Sequence, residues 1–250
     1  MSLNTCFDLH PVFGDIEASG LDDASYPIEI GWSLPDGRTR SFLIKPEPEW
    51  THWDEAAEDL HGISRDELEK SGMPPVMVAA KMNQDLQGLT LFFDGGKFDK
   101  DWIAKLFTAA GISPAFHVSS VYRLLFPEHK AYMERLDEMH ANAEPGQVHR
   151  AEADVRMMVD AYKALRPTAH DLTLLAWWPT AELRTALCFI TEFWSKSAGS
   201  IQFKGGQFHL DTAGDPVNER IVDGLRRNHV TWGICCVAKS GPTYVFNLVN

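Results

Sequence analysis

The sequence predicts an α/β fold, a mixed sheet covered by helices, followed by a smaller C-terminal α+β module. Three observations carry this. Three strand-like runs near the start are joined by turn residues. Apolar runs of strand length then alternate with amphipathic helical patterns. Past a proline-bearing polar stretch, helical and hairpin patterns begin again. With 250 residues, 44% of them hydrophobic, the chain can bury one large core and a small appended one.

Val12 to Ile16 reads as a short buried strand, closed by Ala18-Ser19-Gly20. Pro27 to Leu34 is a second strand. The turn Pro35-Asp36-Gly37 returns the chain as a third, Arg40 to Ile44, completing an antiparallel meander. Lys45-Pro46-Glu47-Pro48 stops it, because proline has no N–H to give a ladder. Helices are expected over Trp53 to Leu60, over Ser64 to Lys70 with Ser64 and Glu67 at capping spacing, and from Pro74 or Pro75 to Gln87. Leu89 to Phe93 has strand length, and the helix Asp99 to Ala110 closes on Gly111. A strand near Phe116 to Val118 and further helical segments lead to a polar stretch, Asn142 to Gln147, and then a helix from His149 to about Leu165.

Pro167 to Asp171 marks the expected boundary, giving domains 1–168 and 169–250. The second is expected to hold a helix from Thr180 to Lys196, a hairpin turning at Lys204-Gly205-Gly206, and a helix from Asp215-Pro216 to Asn228. Two strands, Thr231 to Val237 and Thr243 to Val249, turn at Ser240-Gly241-Pro242. This module is read as an accessory part that contacts substrate, a partner, or a second copy of the chain in a homodimer.

Composition narrows the function. No apolar run reaches the roughly 18–20 residues of a membrane span, and the start lacks the basic-then-apolar pattern of a secretory signal. Cys6, Cys188, Cys235 and Cys236 have neither metal nor redox spacing, so reduced thiols in a cytoplasmic protein are expected. Glycine-rich phosphate loops, Gly-x-Ser-x-Gly elbows and His-Glu-x-x-His helices are missing from the sequence. The net charge is −12. Residues 1–168 hold 16 Lys/Arg and 28 Asp/Glu (16 − 28 = −12), whereas residues 169–250 hold seven of each. That excess of acid opposes tight binding along a duplex, though not a grip on a few nucleotides at one end.

Within this frame a few polar residues stand out. Asp15 and Glu17 lie two apart in an apolar strand, so both side chains share one face. Adjacent carboxylates repel unless a cation lies between them, and a divalent metal with oxygen ligands meets that need. A pair of solvated acids on an edge strand is the plainer alternative. Asp99 follows the apolar run Leu91 to Phe93 at a helix start, where Asp also serves as a cap. His149 stands at a helix entrance and Asp154 one and a half turns in, able to face one cleft if His149 precedes the regular helix.

Taken in order, these motifs resemble the DEDDh 3′→5′ exonucleases, the family of ribonuclease T, oligoribonuclease and the polymerase III proofreading subunit. The resemblance covers Val12 to Arg166. It rests on Asp15-Ile16-Glu17-Ala18-Ser19-Gly20, the strand Ile28-Glu29-Ile30-Gly31, Phe42-Leu43-Ile44-Lys45-Pro46, His61-Gly62-Ile63-Ser64, Phe98-Asp99, and His149 followed five residues later by Asp154. It implies a ribonuclease H-like sheet and a two-metal hydrolysis of phosphodiester bonds at single-stranded 3′ ends, releasing nucleoside 5′-monophosphates. Asp15, Glu17, Asp99 and Asp154 would hold two Mg²⁺ or Mn²⁺ ions, and His149 would be the general base. Leu21, His61 and Phe98 would contact terminal bases, and Lys97 and Arg150 are candidate phosphate contacts. Where members often carry His-Asn before Phe-Asp, this chain has Asp94-Gly95, which leaves the role of Asp94 open. DNA and RNA are not distinguished. The alternative is a catalytically silent nucleic-acid-binding or scaffold protein that keeps this fold.

Overall fold

The structure is a computed structural model and describes residues 10–144 and 148–248. The chain divides into two compact units, residues 1–162 and 163–250, a few residues ahead of the boundary expected after residue 168.

In the first unit β1 (Val12–Ala18), β2 (Pro27–Ser33) and β3 (Thr39–Leu43) form the antiparallel meander. Helices α1 (Glu55–His61), α2 (Arg65–Ser71) and α3 (Pro75–Leu86) follow. Ser64 caps α2 by accepting from the Glu67 N–H, as its spacing suggests. Next, β4 (Thr90–Phe93) runs parallel to β1, and α4 (Lys97–Ala110) crosses to β5 (His117–Ser120), parallel to β4. The short α5 (Val121–Leu124), then α6 (His129–Ala141) and α7 (Ala151–Leu165), complete the set. The sheet order is β3-β2-β1-β4-β5, the mixed, helix-flanked, ribonuclease H-like sheet expected from the sequence.

Alternation along β1 sets which side chains face which layer. Val12 and Ile16 join the core that includes Ile28, Ile30, Trp32, Leu91 and Phe93. Phe13 points the other way, stacked with Tyr132 of α6 at 6.4 Å and tilted against Tyr162 of α7 at 5.7 Å. Asp15 and Glu17 continue that second face. Helix α4 begins at Lys97 rather than Asp99; its N-cap is Gly96, with no side-chain cap hydrogen bond. Asp99 thus enters the first turn already inside the helix, where a carboxylate suits the dipole.

The second unit contains α8 (Ala169–Trp177), a turn of 3₁₀ helix (Thr180–Glu182), α9 (Leu183–Ile190), β6 (Ser200–Lys204), β7 (Gln207–Asp211), α10 (Pro216–Arg227), α11 (His229–Cys235), β8 (Cys236–Ser240) and β9 (Thr243–Asn247). Its four strands form an antiparallel sheet ordered β6-β7-β9-β8.

Two expectations fail here, on the length of one helix and the type of one strand, after Pro167 and the cap residue Thr168 lead into α8. Thr168 and Asp171 form a reciprocal capping box, and buried Arg166 pairs with Asp171 at 3.0 Å while lying over the rings of Phe189 and Phe193. The helix drawn to Lys196 ends at Ile190. The strand placed at Thr231 to Val237 is helical as far as Cys235, because the Asn228 side chain accepts from the Thr231 N–H and starts a helix despite the β-branched residues. The end of the last expected strand, Val249, lies outside the described residues, as does Cys6. Cys188, Cys235 and Cys236 are free thiols, and no helix among the described residues is long and apolar enough to cross a membrane.

Candidate metal centre and active site

Two contacts bring the start of α7 onto the sheet beside β1. Gly31 of β2, paired across the ladder with Asp15, lies so close to α7 that a Cβ there would sit 2.6 Å from the Ala151 carbonyl oxygen. Only glycine permits that approach. Glu29, paired with Glu17, then clamps the helix start. Its carboxylate accepts from Arg150 Nε at 3.0 Å and Nη2 at 3.2 Å, and from the Ala151 N–H at 3.1 Å. It is an anion at a helix N-terminus, where the dipole favours one. Arg150, a candidate phosphate contact in the sequence, is engaged in this structural clamp.

Glu29→Ala should therefore lower the unfolding free energy by about 2–4 kcal/mol. It leaves a partly desolvated guanidinium and a helix N–H without their acceptor, and water reaching Arg150, 40% exposed, limits the loss. Denaturant midpoints at constant m-value measure this; a shift near zero would show that water replaces the clamp.

The clamp brings Asp154 to Asp15 and Glu17. One carboxylate oxygen from each of Asp15, Glu17 and Asp154 lies within 4.8 Å of the other two. Asp94, which follows β4, lines the same cavity of about 200 Å³, as do His140 and His149. The β1–β4 register explains its presence: Phe13 pairs with Phe92, so the ladder runs on toward Asp15 and Asp94. Asp99 is buried nearby but not among the cavity's lining residues. Its carboxylate folds back over Gly95, where a Cβ would meet Oδ2 at 2.7 Å.

Crowding of acids fixes the electrostatics. Burial, then Glu17, Asp154, Asp94 and Asp99 in turn, hold the Asp15 carboxyl well above the ordinary carboxylate range. Burial, with Asp154 and Glu29, raises Glu17 to about 8 despite the opposing charge of Arg150. Asp99 rises to about 7 through burial and Asp94. Asp94 and Asp154 also rise through burial, Asp154 against the opposing influence of His140 and His149. Asp15 Oδ2, Asp99 Oδ2 and Asp154 Oδ1 are buried without a hydrogen-bond partner. Orphaned carboxylate oxygens in a cluster of raised pKa are what a divalent cation with hard oxygen ligands would satisfy, so the residues fit Mg²⁺ or Mn²⁺.

His149 adopts φ 57, the left-handed region, one residue before Arg150 and just ahead of α7. Such a backbone is costly for a residue with a Cβ, and it turns the imidazole away from the helical path. Its ring lies 6.4 Å from that of His140. His140 Nε2 approaches Asp154 Oδ1 at 3.3 Å, in ion-pair range though without hydrogen-bond geometry. Sequence reasoning passed over His140, since nothing in its helical surroundings marks it; only the return of α6 past the sheet brings it in.

The expected base contacts are less uniform. Leu21 is 71% exposed in the loop after β1. Phe98 is at the edge of exposure, stacked on Trp102 at 5.6 Å, and Trp102 ties to the Leu21 loop by donating to Ser25 Oγ at 2.9 Å. His61 is buried, its Nδ1 accepting from the Ile63 N–H, and burial lowers its pKa toward the neutral ring. Lys97 makes an exposed pair with Asp101.

No protein-family sequence profile matches the chain, and no curated protein matches it. Solved structures do. Escherichia coli exonuclease I in complex with a dA16 oligonucleotide is similar with TM-score 0.51 and 17% identity, covering 70% of this chain and 44% of that one. Its dT13 complex gives TM-score 0.52 at 16% identity, with 70% and 45% covered. Exonuclease I from Methylocaldum szegediense gives TM-score 0.52 at 13% identity, with 80% and 53% covered. The chain spans about half the length of these proteins and shares their fold.

Proposed function

From that shared fold, we propose that the chain is a metal-dependent 3′→5′ exonuclease acting on single-stranded DNA. The observation that carries this reading is the triad of Asp15, Glu17 and Asp154 oxygens within 4.8 Å, set in a cavity that His149 also lines. The ordered DEDDh-like motifs and the solved exonuclease I complexes with oligonucleotides support it. Asp15, Glu17 and Asp154 would hold the metal directly, with Asp94 and Asp99 completing the set from beside β4. Two divalent cations, when bound, supply Lewis-acid activation of water and neutralise charge on the leaving oxygen.

The chain's own groups do the rest. His149 takes the proton from the attacking water. The new P–O bond forms as the bond from phosphorus to the preceding nucleotide's 3′ oxygen breaks, and the product is a nucleoside 5′-monophosphate. The carboxylates hold the phosphate's counterions in place, and Leu21 and Phe98 contact the terminal bases.

The test is degradation of 5′-labelled single-stranded DNA and RNA oligonucleotides with Mn²⁺ or Mg²⁺, and with EDTA. A ladder shortening from the 3′ end, lost in EDTA and faster on DNA, is expected. An equal or greater rate on RNA would correct the sugar preference. No cleavage of either by folded protein would sink the reading in favour of a silent binding protein.

A further inference from the structure

The segment after β5 divides its residues sharply. Val121, Leu124 and Leu125 are buried and hold it to the fold, whereas Tyr122 is 53% and Phe126 65% exposed. The exposed rings form one contiguous surface. Tyr122 and Phe126 lie 6.1 Å apart between centroids, and His129, at the start of α6, meets Tyr122 edge-on at 4.9 Å. Arg123 and Lys130 interleave with these rings, against one acid, Glu128. Lys130 makes only a well-exposed pair with Glu134, which screening leaves nearly free to meet another anion. With Glu134 counted, the patch is neutral (two cations, two acids) within a domain carrying all of the chain's net −12.

Its position links it to the cavity. β1, β4 and β5 run parallel, and Asp15, Asp94 and this aromatic segment all lie toward or just beyond their carboxyl ends, where open α/β sheets place their ligands.

Resting on the exonuclease reading, we propose that Tyr122, Phe126 and His129 form a stacking platform for bases of the substrate strand upstream of the scissile phosphate, with Arg123 and Lys130 along its backbone. The occupant is single-stranded nucleic acid. Every base offers a π-face, so such a platform grips a strand without reading its sequence, and the adjoining cations recover part of the electrostatic attraction that the acidic domain forfeits.

The test compares the wild type with Tyr122→Ala/Phe126→Ala, whose exposed positions leave the core intact, as an unchanged Tm would verify. Substrates are dT12 and the p-nitrophenyl ester of thymidine 5′-monophosphate, with Mn²⁺. For dT12, KM should rise at least about tenfold with kcat held near wild type, while hydrolysis of the ester, which has no upstream bases, stays unchanged. A 2-aminopurine placed in the upstream strand should be quenched by His149→Ala protein and not by the same protein lacking the two rings. Arg123→Glu should flatten the dependence of dT12 binding on salt by about 0.7 in log–log slope. If the wild type degrades dT12 and the double variant shows the same KM and the same quenching, the platform is wrong while the exonuclease reading stands. If the wild type cleaves neither substrate, the exonuclease reading fails and takes this proposal with it.

Discussion

Asp15→Asn should reduce metal-dependent turnover by at least about 10³-fold and, at the same time, stabilise the metal-free protein at alkaline pH. Both effects come from one arrangement. The cluster gathers carboxylates whose folded-state pKa values lie above those of the unfolded chain, with Glu17 at about 8 and Asp99 at about 7. A raised carboxyl pKa means that the fold binds protons more tightly than the unfolded chain does. The resulting stability is complete below the ordinary carboxylate range near 4 and is lost as pH climbs through the folded values. The metal-free wild type should therefore melt progressively lower between pH 5 and pH 9, and Mg²⁺ or Mn²⁺ should restore it most at the high end. Asparagine at position 15 removes one buried charge from the set. Its melting temperature at pH 9 in EDTA should exceed that of the wild type by roughly 2–4 °C for each kcal/mol gained, and its rise on adding metal should shrink. A wild-type melting temperature that is flat from pH 5 to 9 in EDTA would mean that the carboxylates are not mutually repelling in solution.

His149→Ala should lower kcat by about 10²–10⁴-fold, the usual contribution of a positioned general base, while leaving the metal-induced rise in melting temperature as in the wild type. That split separates a proton acceptor from a ligand. The left-handed backbone at this position (φ 57) adds a second arm. Alanine at that φ carries the steric cost of a Cβ, about 1–2 kcal/mol, and glycine does not. His149→Gly should be as inactive as His149→Ala yet more stable by about 1 kcal/mol in chemical denaturation. If either variant retains wild-type turnover, the proton goes elsewhere, and His140, which lines the same cavity, is the next residue to test.

How much of this was legible beforehand follows from the reach of each signal. The β1–β2–β3 meander was readable because its turn residues and apolar runs are local, and Asp15 with Glu17 was readable because strand period alone puts them together. His149 and Asp154 were visible only through their spacing in an ordered set of motifs. Asp94 could be noticed but not assigned, since its arrival depends on the parallel register of β4 against β1. His140 was out of reach. It sits on an ordinary amphipathic helix, and only three-dimensional packing brings its ring to Asp154. The second unit was read least well for a related reason. Asn228 is a short-range start of a helix, and it outweighed a longer stretch whose composition favoured a strand.

The ladder pairs Asp15↔Gly31 and Glu17↔Glu29 bear on how this protein tolerates changes of length. Side chains alternate along a strand, so deleting or inserting one residue just before Glu29 would turn Glu29 and Gly31 to the opposite face together. The helix start would lose its anchor and its clearance in one event, although every carboxylate proposed to hold metal would still be encoded. The turn between β2 and β3, by contrast, is exposed at Asp36 and Arg38 and bears on none of these pairs. A scan of single-residue deletions should therefore divide abruptly, with β1 and β2 intolerant throughout and the turn at Pro35-Asp36-Gly37 permissive. Variation in length among natural descendants of this chain should gather at that turn, even where point substitutions in β2 are accepted.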